Sequence, residues 1–425
     1  MKAESPREIA VRILQRRQRS REYVERLLEE ALGTAALSGP DRGLCQELTY
    51  GIVRWEKTLD RLIARKTAGR TQNEQLRILL QLGLYQIFWL ERIPHHAAVH
   101  ETVELGKKLG LGPKSGFLNA VLRGYLREEA ETRKFLEELK VTEPAVGYSC
   151  PEWLVERWKA RWGVEKTVQL LAWNNNPPPT FARVNRLKVE PAALIEMWRE
   201  EGVNYITRQW DWTRELLAFE LESHPALNSL KSFRDGFFYV QDPSTLLAVR
   251  ELDPQPGETV LDLCAAPGGK TTFAAQLMQN TGKIVAQDNQ AERLKLVEEN
   301  CQRLGVTCVE IKGSAELYDR ILLDAPCSNT GVLRRRVDLR WLIRVEEIAR
   351  LSRVQAQLLR DAAGKLKPGG TLIYSTCSLE AEENEQVVQA FLAENKHFKL
   401  DKERQLLPFI ESVDGAYVAK LQKQS

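Results

Sequence analysis

Asp324-Ala325-Pro326-Cys327-Ser328 follows the apolar run Ile321-Leu322-Leu323, which predicts a buried strand delivering a carboxylate and a thiol to its C-terminal end. Thr371-Leu372-Ile373-Tyr374-Ser375-Thr376-Cys377-Ser378 repeats the arrangement, an apolar strand ending in a cysteine beside small hydroxyl residues. A third segment, Val260-Leu261-Asp262-Leu263, runs into the turn Cys264-Ala265-Ala266-Pro267-Gly268-Gly269-Lys270-Thr271. A free thiol is only a few per cent thiolate at neutral pH, so an attacking cysteine needs a polar, electropositive site. Lys270 and the run Arg334-Arg335-Arg336 are the candidate sources of that charge. Cys45, Cys150, Cys301 and Cys308 lie in helical, apolar or edge contexts and read as small core residues.

The glycine turn admits two readings. Gly269-Lys270-Thr271 matches the end of a phosphate-binding P-loop, and Ile321-Leu322-Leu323-Asp324 mimics the strand that holds magnesium in such enzymes. Cys264, however, occupies the position where the loop needs its first glycine. The other reading is a nucleoside-cofactor turn, with Asp288 ending the next strand and placed for ribose hydroxyls. Without a complete phosphate cradle, S-adenosyl-L-methionine fits better than a dinucleotide. No metal site is expected: His96 and His100 lack further ligands nearby in sequence and suit a helix start.

These strand ends need a scaffold, and the chain offers three parts. Residues 1–140 carry helical periodicity punctuated by Gly and Pro, opened by the capping box Ser5-Pro6-Arg7-Glu8, and read as an all-α domain. Residues 141–241 read as a connector and a small α+β domain, broken at Asn174-Asn175-Asn176-Pro177-Pro178-Pro179. Over 242–425 strands alternate with helices, which predicts a parallel, doubly wound α/β sheet of seven strands, two of them added at an edge. Ligands bind such sheets outside the carboxyl ends of the strands, where Asp262, Asp288, Asp324 and Cys377 all fall.

A length of 425 residues suits two or three domains, and 43% hydrophobic with 28% charged residues suits a globular chain. Seven cysteines without a CxxC pair argue for a reducing compartment. The start lacks an apolar leader, and Ile78 to Leu90 is too short to span a membrane, so a cytoplasmic, membrane-free monomer is expected. The net charge of +3 points to no partner by itself. Two local runs, Arg12, Arg16, Arg17, Arg19 and Arg21, and Arg61, Arg65, Lys66 and Arg70, read equally as solvated helix faces or as a surface for phosphates, whereas from Leu333 to Arg344 five arginines, Arg334, Arg335, Arg336, Arg340 and Arg344, interleave with Trp341. Such a stretch beside a catalytic loop reads as RNA-binding.

The glycine turn, Asp324-Ala325-Pro326-Cys327-Ser328 and Ser375-Thr376-Cys377-Ser378 together resemble the RNA cytosine-5 methyltransferases. In the front half, Glu47-Leu48-Thr49-Tyr50-Gly51-Ile52-Val53-Arg54-Trp55, Ile93 to Glu104 and Gly116-Phe117-Leu118-Asn119-Ala120-Val121-Leu122-Arg123 resemble the NusB-like RNA-binding domain fused to the bacterial 16S rRNA member, which implies an RNA-binding role for residues 1–140. The resemblance implies a Rossmann-like class I methyltransferase behind a NusB-like domain. It also implies transfer of a methyl group from S-adenosyl-L-methionine to C5 of a cytosine in 16S rRNA, at cytosine 967.

By the same resemblance, Cys377 attacks C6, Cys327 serves proton removal and release, and Asp324 orients the base. In the DNA cytosine methyltransferases a Pro-Cys thiol is the nucleophile, which would exchange the two cysteines. The backbone of Cys264, Ala265, Ala266, Pro267, Gly268, Gly269 and Lys270 is expected at the methionine end of the cofactor, with Asp288 at the ribose. Ser314 stands where the family usually has an adenine-contacting Asp, with Glu316 as the alternative contact; Arg336-Val337 replaces a usual His-Pro, and Ala416-Tyr417 an aromatic pair. A rival of another class is a non-catalytic RNA-binding or ribosome-assembly protein that retains the fold.

Overall fold

Ser5 and Glu8 form the capping box: the Glu8 amide donates to the Ser5 hydroxyl at 3.3 Å, and the Ser5 amide to the Glu8 carboxylate at 3.4 Å. They open the helix Pro6–Ser20, first of a run of helices that continues to Glu152–Asn175. The structure, a computed structural model, describes residues 4–20, 22–213, 218–311 and 313–424. By packing it divides into Met1–Asn176 with Leu333–Leu342, and Pro177–Val332 with Ile343–Ser425.

In the first unit, Glu74–Trp89 is the central helix and is buried from Ile78 to Phe88, which its apolar sequence explains. Ser38 and Asn73 cap their helices through side-chain oxygens, as these residue types favour. The basic runs are largely matched by acids. Arg12 pairs with Glu4, Arg16 with Glu22 and Glu30, Arg17 with Glu56, Arg19 with Glu74, and Arg61 with Glu143, whereas Arg21 lies outside the described residues. Among the described residues, no helix is long and apolar enough to cross a membrane.

Leu333–Leu342 corrects the RNA-binding expectation. Arg334 and Arg340 are 2% and 1% exposed, so neither is available to a phosphate backbone. Arg340 donates to the carbonyls of Ser149 (3.1 Å) and Asn174 (2.9 Å) and to Asn175 Oδ1 (2.8 Å), while the Arg334 guanidinium lies 4.0 Å from the Trp173 ring centroid. Asp338 accepts from the Val24 amide, and Trp341 donates to the Val53 carbonyl. Burial lowers the pKa of Arg340 to about 10. Arg336 and Arg344 remain exposed, and Arg335 is partly so. Replacing Arg340 with Ala is expected to destabilise the first unit by roughly 3 kcal/mol, about 1 for each acceptor left unpartnered. A urea titration would read it as a lower midpoint with little change in slope.

The second unit holds two sheets. The smaller contains β1 (Thr180–Val184), β2 (Asn204–Arg208), β3 (Ala218–Ser223) and β4 (Phe238–Val240), in the antiparallel order β2-β3-β1-β4. Trp198 of the helix Pro191–Glu201 packs edge-on against Phe219 and Phe238 to form its core.

The larger sheet contains β5 (Thr259–Leu263), β6 (Lys283–Gln287), β7 (Val309–Ile311), β8 (Tyr318–Asp324), β9 (Leu366–Thr376), β10 (Phe398–Leu406) and β11 (Ala416–Lys423). Its order is β10-β11-β9-β8-β5-β6-β7, parallel from β9 to β7, with β11 and β10 antiparallel at one edge. The chain leaves β5 in one direction and returns on the other side to β8. That reversal opens a crevice between their carboxyl ends, the usual ligand position. Leu263 pairs with Leu323, and Asp324 with Ser375, so the three strand ends carrying the candidate residues are level.

Candidate active site

The turn after β5 adopts its shape through Cys264 at φ +63° and Gly268 at φ +102°. The positive φ at Gly268 disfavours any side chain there, and a Cβ would also press within 3.2 Å of Val297 Cα. Gly268 caps the helix Gly269–Leu277, and the Ala266–Pro267 peptide is cis. Asp288 folds back onto this turn. Its carboxylate accepts from the Ala266 amide at 3.3 Å and the Gln290 amide at 3.0 Å, with Arg293 3.6 Å away. Burial, reinforced by the carboxylates of Asp324, Asp288 and Asp262, raises the Cys264 thiol to about 12, which removes it as a nucleophile. Ser314 is exposed in the loop after β7; its carbonyl accepts from Lys283 at 3.3 Å, and the preceding Gly313 carbonyl from Gln287 at 3.4 Å.

Asp324 ends β8 between two donors. Lys270 Nζ lies 2.7 Å from Oδ2, and Ser375 Oγ 2.9 Å from Oδ1. Burial works against charge on Lys270, but Asp324 outweighs it and the ammonium pKa is raised. Lys270 thus spends its charge on the strand-end acid, and Cys377 also feels that charge.

Cys327 and Cys377 meet, with sulfurs 3.4 Å apart. Cys327 is buried, whereas Cys377 is partly exposed and lies 2.9 Å from Asn329 Oδ1. Contact with Cys377, then burial, pushes the Cys327 pKa well up. Cys327 therefore keeps its proton and can donate it to a neighbouring sulfur. Of the two, the reachable one is Cys377.

The loops bearing these thiols are joined by Glu383, which sequence reasoning missed. Its buried carboxylate accepts from the Ser328 amide at 2.8 Å, Ser378 Oγ at 2.5 Å and Gln355 Nε2 at 3.0 Å, as well as from Ser328 Oγ. The Ser328 and Ser378 hydroxyls also lie 3.0 Å apart. Both cysteines precede a serine, and one acid holds both serines. Glu380, Glu382, Glu383 and Glu385 look alike in sequence; the only available signal was the repeated Cys-Ser step, which implies a shared acceptor.

Asp262 is the buried acid beneath the site. Thr271 donates to one oxygen at 2.6 Å, and the other, Oδ1, is buried without a hydrogen-bond partner. Burial raises its pKa to about 7, with Asp324 and Asp288 adding to the effect. The folded chain thus holds this proton more tightly than the unfolded chain. The resulting stabilisation is complete below about pH 4 and is lost as pH rises through about 7. Thermal melts of Asp262→Asn should show the variant gaining about 2–3 kcal/mol on the wild type between pH 5 and pH 8. A pH-independent difference would contradict the buried, proton-binding carboxyl.

Residues 249–422 match the family described as 16S rRNA methyltransferase RsmB/F, and residues 150–211 a ferredoxin-like domain of the same RsmF/B-like proteins. Residues 4–127 match the NusB family. The α/β sheet is therefore that of a Rossmann-like methyltransferase, preceded by ferredoxin-like and NusB-type domains. The chain is 36% identical to a probable ribosomal RNA small subunit methyltransferase B of Synechocystis sp., covering 99% of both chains. It is 34% identical to the probable enzyme of that name from Bacillus subtilis, covering 100% of both. The chain belongs to the ribosomal RNA small subunit methyltransferase B family. The crystal structure of PH0851 aligns with a TM-score of 0.79 at 27% identity, covering 99% of this chain and 100% of that one. That of NSun6 from Pyrococcus horikoshii, solved with SFG, aligns at 0.58 and 26% identity over 65% of this chain and 98% of its own.

Proposed function

We propose that this chain transfers a methyl group from S-adenosyl-L-methionine to C5 of a cytosine in 16S rRNA, at cytosine 967, through a covalent Cys377–C6 bond. The observation that carries the reading is the sulfur pair, 3.4 Å apart, one reachable and one buried. The cofactor reading has its own support: the unpartnered Asp262 Oδ1, the tight turn at Gly268 with its positive φ, and the Asp288 side chain, only 1% exposed. The backbone from Cys264 to Lys270 would hold the methionine end, Asp288 the ribose diol, and Ser314 or Glu316 the adenine. Bound there, S-adenosyl-L-methionine supplies an electrophilic methyl group.

Cytosine C5 is a poor nucleophile until C6 gains a bond. The Cys377 thiolate adds to C6, which makes C5 electron-rich enough to take the methyl group. The C5 proton then passes to a base, and expulsion of the Cys377 sulfur restores the aromatic ring. Asp324 orients the base by accepting a hydrogen bond from its N4 amino group, and the Lys270 ammonium held beside it offsets the negative charge that develops on the ring as the thiolate adds. Cys327 suits the later proton transfer. Contact with Cys377, burial and the nearby Glu383 all favour the protonated thiol, so Cys327 would serve as a relay that passes its own proton to solvent as it takes the one from C5.

The test is methyl transfer to naked 16S rRNA and to assembled small subunits, with 5-methylcytosine located in the product. Transfer to one form at cytosine 967 is expected. RNA binding without transfer to either form would favour the non-catalytic reading.

A further inference from the structure

Around Cys377 the backbone is fixed from several sides. The Gly331 amide donates to the Cys377 carbonyl at 3.0 Å, and Thr330 Oγ1 accepts from the Leu379 amide at 2.9 Å. The Gly331 carbonyl in turn accepts from the Gly415 amide at 2.9 Å. The freedom that remains is rotation of the Cys377 side chain among its staggered rotamers. Asn329 bears on that choice. Its backbone is left-handed, at φ +58°, a conformation that asparagine tolerates better than most residues. Its Nδ2 donates to the Cys327 carbonyl at 2.7 Å, so the amide is held one way round and Oδ1 faces Cys377, 2.9 Å from Sγ. An amide oxygen accepts and cannot donate, so the Cys377 thiol supplies the hydrogen. The 3.4 Å contact between the sulfurs then runs in one direction, from the Cys327 S–H to the Cys377 sulfur.

We propose that Asn329 is a positioning residue for the nucleophile, holding the Cys377 thiol in a single rotamer through Oδ1. The inference rests on the assignment of Cys377 above and adds to it the group that aims the sulfur. Glu383 ties together the serines that follow the two cysteines, whereas Asn329 acts on the reacting side chain itself. Shaping the loop would need only the left-handed backbone and the bond to the Cys327 carbonyl. The oxygen turned to Cys377 adds nothing to the loop, but it selects where the thiol points. Asn329 is half-buried beside the reachable thiol, so its side chain lies at the place where a base would enter.

The experiment compares Asn329→Gly and Asn329→Asp with the wild type in two rates. One is methyl transfer to a 16S rRNA fragment; the other is alkylation of Cys377 by iodoacetamide in the free chain, read by peptide mass spectrometry. Glycine accepts the left-handed backbone and removes the amide. Attack on C6 demands one orientation of the sulfur, so in Asn329→Gly kcat should fall about five- to tenfold with KM unchanged. Iodoacetamide makes no such demand and meets a thiol that is no longer held, so alkylation should be several-fold faster. Asn329→Asp keeps the shape but sets a negative charge against the sulfur, so both rates should fall. Both variants lose the bond to the Cys327 carbonyl, so their opposite alkylation rates report on the oxygen alone. Melting curves verify that both variants fold. Wild-type rates in Asn329→Gly, a fall of both rates together in that variant, or a loss that appears in KM would overturn the inference. A wild-type chain that transfers no methyl group would count against the proposed function alone, because the alkylation rates still test the hold on the thiol.

Discussion

Cys377→Ala should lose methyl transfer by at least about 10⁴-fold, the usual consequence of deleting a covalent nucleophile, while still binding RNA. Cys327→Ala should behave differently: it should form the RNA bond and fail to release it, giving a protein–RNA species stable to denaturing electrophoresis. The contrast follows from the sulfur pair, since Cys377 is reachable and Cys327 is the buried, proton-holding member. In the cysteine-exchanged assignment the phenotypes swap. Single-turnover kinetics of the two variants on one RNA would therefore decide between them.

The second large effect belongs to Glu383. Its carboxylate ties Ser328 to Ser378 and so sets the separation of the two sulfurs. Glu383→Ala leaves these hydroxyls and Gln355 without their acceptor in a buried site, at a cost of roughly 3 kcal/mol in stability. Displacing a nucleophile by about 1 Å can lower the rate about 10²-fold, so kcat should fall far more than KM changes. Slower oxidative joining of Cys327 to Cys377 should accompany the loss. Glu383→Gln, which keeps the shape and one acceptor, should restore much of kcat. Burial raises the Glu383 pKa, so its stabilising contribution is complete at acid pH and is lost as pH rises through that value. A parallel loss in the Gln and Ala variants would mean that Glu383 only fills space.

The sheet was legible because strands buried on both faces are continuous apolar runs, and a parallel sheet places their ends together. Ile321 to Leu323 and Leu372 to Tyr374 announced β8 and β9, and Asp324 and Cys377 followed from topology. Other features were silent for definite reasons. A buried Arg is written like an exposed one: Arg334 and Arg340 are core residues of the helical unit, held by a Trp face and by carbonyls that are remote in sequence. The basic run at Arg12 to Arg19 also lost meaning once Glu22, Glu56 and Glu74 came alongside. Local composition reports charge but not the partners that the fold brings to it.

The central claim is that Cys377 forms the bond to the base. Wild-type chain incubated with S-adenosyl-L-methionine and a 16S rRNA fragment carrying 5-fluorocytidine should be trapped, because fluorine cannot leave C5 as a proton does. Peptide mass spectrometry after nuclease digestion should place the nucleotide on the peptide containing Cys377. A nucleotide on the Cys327 peptide, or no adduct from a chain that methylates unmodified RNA, would contradict the account.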